Sequence, residues 1–450
     1  MASGRKPRSR PPAATSLLEV TIESLAFGGD GVAHAPRAVF VPDAAPGDRL
    51  RVRIVEEHPH WARAEIVETI VRSPFRRDPP CPYASRCGGC SWQHVVEETQ
   101  AEAKRRAVED ALRRIGGLND LTVPPVIAPG PALRYRRRIR FHVSRQGERV
   151  LTGFLRPRSS RVVDVDACLQ MTEGLERVYR ALRAALAESG CPGGVAEIEL
   201  AVGSDDGAAV AAFHLPREPP RSERAPVARF AQGLLRGGAL AGWAALSPEG
   251  GILDAGGEIT LTHDFPEGSV PGAPFTLRRR GWAFSQASFL ANLVLVRTAL
   301  AAMGDPFPSR VLELYAGSGN FTLPLTSLSG EVVAVEGDRD AARELEDNLQ
   351  AAGRRARVIA GDVAQALARV DPVDAVLLDP PRAGAAEAMA LLLSMAPRRI
   401  VYVSCHPATL ARDLARLAGG GYRVADVRAI DAFPQTWHVE TVATCVRGEA

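Results

Sequence analysis

The alternation of apolar and polar positions divides the chain into segments of different kinds. From Leu17 to about Arg72 short alternating runs dominate: Val20-Thr-Ile-Glu-Ser-Leu, Val39-Phe-Val-Pro, Leu50-Arg-Val-Arg-Ile-Val and Ala64-Glu-Ile-Val, with Phe27-Gly-Gly-Asp-Gly supplying turns. Short strands at this spacing predict a small β-barrel over residues 14–72. Residues 99–115 have a helical period and carry Lys104, Arg105, Arg106, Arg113 and Arg114. Mixed strand and loop follow to about residue 274, and the proline-rich pieces at 215–226 and 265–274 read as loops or a linker. Beyond that, strands at 310–315, 331–335, 357–360, 374–378 and 400–404 alternate with helices near 287–303, 339–352, 384–395 and 408–418, the pattern of a doubly wound sheet. The expectation is a multidomain α/β protein: an OB-like barrel, a mixed α+β domain over 73–274 and a Rossmann-like domain over 275–450, preceded by a disordered basic tail at 1–13.

Composition narrows the class. With 450 residues, 46% hydrophobic and 24% charged, the chain is expected to be soluble and to contain more than one core. No apolar run approaches the ~20 residues of a membrane span. Glu19 and Glu23 interrupt any apolar stretch behind the basic N-terminus, so no signal peptide is expected. Seven cysteines, an odd number, suit metal or catalytic use in a reducing cytoplasm. The net charge is only +3, but arginines cluster at 5–10, 134–140 and 278–280, as phosphate contacts would require, with Tyr135 and Phe141 near enough to stack on a base.

Candidate chemistry concentrates at strand ends. Cys405 follows the apolar run Ile400–Val403 and precedes Pro407, which suits a first helical turn, so it is expected at the ligand-binding edge of the sheet. The helix N-terminus and His406 would both favour its thiolate. Val311-Leu-Glu-Leu-Tyr-Ala-Gly-Ser-Gly-Asn ends a strand in a glycine-rich turn; Glu336 ends the next strand, placed for ribose hydroxyls, and Asp362 follows the third, placed for an adenine amine. With nothing to grip a pyrophosphate, the set fits S-adenosylmethionine better than a dinucleotide. Asp379-Pro-Pro-Arg382 closes the fourth strand without the aromatic residue of amino-group methyltransferases and without a cysteine. Earlier in the chain, Cys81, Cys87 and Cys90 form a C-x5-C-x2-C group, and Cys168 is the best fourth thiolate; such a set holds zinc or an iron–sulfur cluster.

Two resemblances sharpen this reading. The stretch from Gly28 to Ile54 resembles the TRAM domain, which implies RNA. Gln286, Gly317-Ser-Gly-Asn-Phe, Glu336, Asp379-Pro-Pro-Arg382, Ser404-Cys405-His406 and His438-Val-Glu440 resemble the RNA uracil-5-methyltransferase family, and within it the bacterial 23S ribosomal RNA enzymes that carry a 4Fe-4S cluster. The likeness implies Cys81, Cys87, Cys90 and Cys168 as cluster ligands. It implies Gln286, Tyr315, Gly317, Asn320, Glu336, Asp362 and Asp379 as cofactor-binding residues, Cys405 as nucleophile and Glu440 as base. Ala316, Ser288 and Asp362 depart from residues common in relatives. A transfer RNA uracil-5-methyltransferase and a non-catalytic RNA-binding protein on the same fold are the alternatives. No obligate protein partner is expected.

Overall fold

The computed structural model describes residues 17–147, 149–218 and 220–448, so the expected tail at 1–13 lies outside it. The first unit is a six-stranded sheet in the order Leu17–Thr21, Arg49–Glu57, Trp61–Val71, Ala38–Val41, Gly31–His34, Ser24–Leu25. The alternating residues Val20, Ile22, Val39, Val41, Leu50, Val52 and Ala64 form its core. A turn from this unit reaches outward. Gly29, at φ +102°, lets the backbone pass where a Cβ would stand 2.9 Å from Ser91, and its carbonyl accepts from the buried Trp92 indole at 2.9 Å.

The central sheet has seven strands, in the order Ile252–Gly257, Gly242–Leu246, Ala209–His214, Glu197–Val202, Arg138–Gln146, Arg149–Leu155, Val162–Asp164. Two helices, Glu173–Ser189 and Arg221–Arg236, pack on it through Leu175, Tyr179, Leu182, Val227 and Ala231. The second helix lies where the proline content predicted loop. Pro226, the sixth residue of this helix, forfeits one backbone hydrogen bond, and the following Val227, Ala231 and Leu234 offset it with a buried face. The expected arginine stripe is also spent differently. Arg134 bonds Glu176 and Arg137 bonds Asp206, each at 2.8 Å, while Arg138 and Arg140 both bond the buried Glu199. Neither aromatic residue is free to stack on a base: Tyr135 is buried with its hydroxyl donating to the Pro434 carbonyl, and Phe141 stacks on Tyr179 at 4.1 Å.

The C-terminal sheet has the order Arg357–Ala360, Glu331–Glu336, Arg310–Leu314, Ala375–Leu378, Arg399–Ser404, Glu440–Arg447, Tyr422–Ile430. The first five strands are parallel and Glu440–Arg447 runs antiparallel beside Arg399–Ser404. The order reverses at Arg310–Leu314, where the chain first builds outward on one side and then on the other. A crevice therefore opens at the carboxyl ends of Arg310–Leu314 and Ala375–Leu378.

Two features cross the boundaries expected from sequence. The hairpin of Thr260–Phe265 and Phe275–Arg280 spans the position 274/275. The helix Glu97–Arg114, although it follows the first three cysteines, packs on Pro407–Gly419 of the C-terminal unit. Its buried Lys104 bonds Asp431 at 2.5 Å, and Gln100 donates to and accepts from Gln435. Arg77 also reaches Gln435, at 2.8 Å, so the loop Asp431–His438 is held from the N-terminal half of the chain.

Candidate active site

A single cavity of about 1080 Å³ runs from the cysteine group to the crevice of the C-terminal sheet. Cys405 enters it from the end of Arg399–Ser404, and Glu440 from the start of the neighbouring antiparallel strand. Because these strands pair with Ser404 opposite Thr441, the register alone brings the two side chains to the same edge. Asp379, at the end of Ala375–Leu378, completes an acidic group with them.

Burial governs their protonation. It pushes the Cys405 thiol up to about 11, with the charges of Glu440 and Asp379 adding to it and Arg382 opposing. Burial also raises Glu440 well above the ordinary carboxylate range, again with Asp379 adding and Arg382 opposing, and it raises Asp379 to about 7. Burial thus opposes the charged forms of both groups, against the thiolate that the helix end favours. His406 does not supply a cation either. Its ring Nδ1 accepts from the Thr409 N–H as the helix cap, and burial and Arg382 lower its pKa. The Arg382 guanidinium acts on all of Cys405, Glu440, His406 and His438; its position in Asp379-Pro-Pro-Arg382 was legible but its role was not.

The other end of the crevice is built by the glycine turn. Tyr315 and Gly317 have φ of 61° and 56°, and the Gly317 N–H donates to Glu336 at 2.7 Å. Glu336 also accepts from the Asp338 N–H at 2.7 Å, so its carboxylate is fixed in orientation before any ligand arrives. Gly319 is required by packing, since a Cβ there would lie 2.7 Å from Leu345. Asp362 caps the helix Val363–Leu367 through the Gln365 N–H and also lines the cavity. Gln286 and Tyr315 line it too, the Tyr315 hydroxyl meeting Glu387 at 3.3 Å. Asn320 is the exception. It is not among the lining residues, and its side chain forms a reciprocal amide pair with Asn292 at 2.8 and 2.9 Å. Ser288, one of the departures, caps the helix Phe289–Ala301 through the Ala291 N–H.

Sequence reasoning missed Glu313. It lies wholly inside the strand Arg310–Leu314, accepts from Thr322 at 2.6 Å, and has one carboxyl oxygen without a partner; burial pushes it up to about 8. An acid inside an otherwise apolar strand was the available signal. Phe284, also missed, lines the cavity while 76% exposed.

Cys81, Cys87, Cys90 and Cys168 all line the far end of the same cavity. Cys87 accepts from the Gly89 N–H and Cys90 from the Gln170 amide, each at 3.4 Å. Among the described residues no three His, Cys, Asp or Glu side chains are arranged to hold one metal ion.

Comparison with known proteins decides the family. A TRAM domain model matches residues 16–67, and a tRNA (Uracil-5-)-methyltransferase model matches residues 255–447. The chain is 36% identical to the 23S rRNA (uracil(1939)-C(5))-methyltransferase RlmD of Chromohalobacter salexigens, over 95% of this chain and 89% of that one. It belongs to the RNA (uracil-5-)-methyltransferase family. The RlmD enzyme of Pectobacterium atrosepticum is 34% identical over 98% of this chain and 96% of its own. Among solved structures, Pyrococcus abyssi tRNA (uracil-54, C5)-methyltransferase, in complex with S-adenosyl-L-homocysteine, shares the fold with TM-score 0.75 and 23% identity, over 95% of this chain and 99% of that one.

Proposed function

We infer that the cavity methylates C5 of uracil by a covalent route. Several relatives matched over nearly the whole chain are 23S rRNA (uracil(1939)-C(5))-methyltransferases. This family member transfers a methyl group from S-adenosylmethionine to C5 of a 23S rRNA uridine. The likeness to the tRNA enzyme carries the fold alone and does not favour tRNA. The observation that carries the chemistry is the convergence of Cys405, Glu440 and Asp379 on the cavity that Gln286, Glu336 and Asp362 also line.

C5 of uracil is a weak nucleophile until a thiolate adds at C6. Cys405 gives its proton to solvent, its sulfur bonds C6, and the electron pair of the C5–C6 double bond shifts toward the C4 carbonyl, which makes C5 enolate-like. S-adenosylmethionine, when bound, supplies the electrophilic methyl group. Glu440, once ionised, removes the remaining proton from C5, the double bond re-forms and the C6–S bond breaks, returning the thiolate. Burial opposes ionisation of both groups, and Arg382, the cation that lowers both, has the task of stabilising their ionised forms. The target base must leave its stack to enter the cavity.

The residues at the far end fit a 4Fe-4S cluster held by Cys81, Cys87, Cys90 and Cys168. A tetrahedral zinc, with every sulfur about 2.3 Å from one ion, needs thiolates nearly in contact, whereas a cluster binds each to a different iron and leaves them further apart. Four thiols brought to one cavity form the soft donor set that such a cluster requires. Bound there, the cluster would tie the Cys81–Cys90 loop to Cys168 beside the central sheet.

The test is to map 5-methyluridine in ribosomal and transfer RNA from a deletion strain complemented with wild-type or Cys405→Ala protein. Loss of one 23S rRNA methyluridine, restored only by wild type, is expected. A loss confined to tRNA, or rescue by folded Cys405→Ala protein, overturns the reading.

A further inference from the structure

The helix Pro407–Gly419 starts just after Cys405 and turns one side toward the segment Arg382–Ala386, which follows Asp379-Pro-Pro. Thr409, Arg412, Asp413 and Arg416 share that side, at helical spacing. Each meets a different backbone group of the segment. The Thr409 hydroxyl donates to the Arg382 carbonyl at 3.1 Å, and Arg412 to the Ala383 carbonyl at 2.9 Å. The Ala385 N–H donates to the Asp413 carboxylate at 2.9 Å, and Arg416 donates to the Ala386 carbonyl at 3.2 Å. Between these bonds Gly384, at φ +80°, brings the chain so close that a Cβ would lie 2.6 Å from both Arg412 and Asp413.

Asp413 anchors the contact. It is wholly buried, and its carboxylate also accepts from the Tyr402 hydroxyl at 2.9 Å and from Arg412 at 2.8 and 3.1 Å. Any of these bonds, once broken, would leave a buried charge under-satisfied, so the arrangement is stiff. The Arg382 side chain is not held in this way. It makes no hydrogen bond or ion pair with any described residue, yet it lines the active cavity with Cys405 and Glu440. The place of its guanidinium therefore follows from the turn out of which it grows.

We propose that Thr409, Arg412 and Asp413 are positioning residues for the reaction: they fasten the Arg382 turn to the helix that Cys405 precedes, and so keep the guanidinium beside the attacking sulfur. The proposal rests on Cys405 as the nucleophile. Beyond burial, which pushes the Cys405 thiol up, the charges facing it are those of Glu440 and Asp379, which raise it further, and of Arg382, which lowers it. His406 and His438 nearby are themselves pushed down by burial and Arg382, His438 to about 4, so Arg382 is the cation of this group at neutral pH. Removing the negative charge of Asp413 would, by direct electrostatics, make a thiolate easier to form. Releasing Arg382 would make it harder. The two effects have opposite signs.

The pH dependence of Cys405 alkylation by iodoacetamide, followed by peptide mass spectrometry on the full-length protein without RNA or cofactor, separates them. In Asp413→Asn, and in the milder Thr409→Val, the midpoint should move up by roughly half a pH unit or more. Neither substitution should add to the rise that Arg382→Gln produces alone, because residues acting through one group are not additive. A midpoint that moves up by less, or falls, overturns the proposal. So does an undiminished further rise in the Arg382→Gln background, which would mean that the helix is loosened as a whole. Should Asp413→Asn not fold, Thr409→Val decides on the same terms. The readout needs neither RNA nor turnover, so its failure is distinct from a failure of Cys405 as nucleophile, which methylation by folded Cys405→Ala protein would show.

Discussion

Phe27, in a turn of the N-terminal sheet, stands edge-on to the ring of His406, with centroids 5.2 Å apart. It also meets Trp437 at 4.6 Å, and Trp437 lies against His438 at 3.8 Å. The TRAM unit therefore buttresses the residues on either side of the nucleophile and base. It stands behind the active-site wall, against the residues next to Cys405 and His438.

Phe27→Ala should accordingly lower kcat about tenfold, equivalent to about 1.4 kcal/mol, while S-adenosylmethionine affinity stays within about twofold. Single-turnover methylation of an rRNA fragment, with calorimetric binding of the cofactor, separates the two. Equal losses in both would mean that the turn supports the whole fold and not the Cys405 segment.

Glu440→Gln divides the catalytic cycle. Addition of Cys405 and methyl transfer remain possible, but the C5 proton has no acceptor. A protein–RNA adduct that survives denaturing electrophoresis should accumulate, and wild type should form a similar adduct with 5-fluorouridine RNA. Normal turnover by Glu440→Gln would assign the base to another group.

The same variant should be more heat-stable. The folded protein raises the Glu440 pKa above its unfolded value, through burial first and Asp379 second. A raised carboxyl contributes stability that is fully present below the unfolded pKa and is lost as pH rises through the folded one. Each unit of displacement is worth about 1.4 kcal/mol. The melting-temperature advantage of Glu440→Gln over wild type should therefore be small at pH 4 and grow toward neutrality. A pH-independent difference would show that the carboxyl is not held protonated.

Anaerobically purified protein should contain iron and sulfide with broad visible absorption, and little zinc. Cys168→Ala should lose the iron. Stoichiometric zinc without iron would defeat the cluster assignment, because the two make different demands on thiolate spacing.

On the TRAM sheet, Trp61 stacks on His58 at 4.0 Å and meets Phe40 at 6.0 Å, beside Arg37 and Arg63. All three rings are partly exposed. If they stack on RNA bases, Trp61→Ala should weaken RNA binding by about 1–3 kcal/mol and leave cofactor binding unchanged. Filter binding across a salt series reads this, since a stacking loss shifts affinity without changing the salt slope. Unchanged affinity would place the RNA elsewhere.

The catalytic crevice was legible because it is made of strand ends, where a continuous apolar run stops at a polar residue. Glu336, Asp379 and Cys405 all lie within one residue of the end of the strands described above. What the linear pattern could not convey was partnership. The arginines at 134–140 look like a phosphate-binding stripe until Glu176, Glu199 and Asp206, far along the chain, are folded against them. Asn320 reads as a pocket residue in its motif, but Asn292 turns it away. The thiolate expected at Cys405 failed for the same reason. Local features favour its charge, whereas burial, and after it the acids brought beside it by strand pairing, oppose it.

The stapling of the loop Asp431–His438 bears on the order of synthesis. Lys104 and Gln100 leave the ribosome more than three hundred residues before Asp431 and Gln435, their partners. Until then the ammonium of Lys104, wholly buried in the finished protein, has no counter-charge and cannot be enclosed. The helix Glu97–Arg114 therefore cannot bury its lysine until the segment around residue 431 has been made, and a chain stopped before that residue leaves the two segments unlocked.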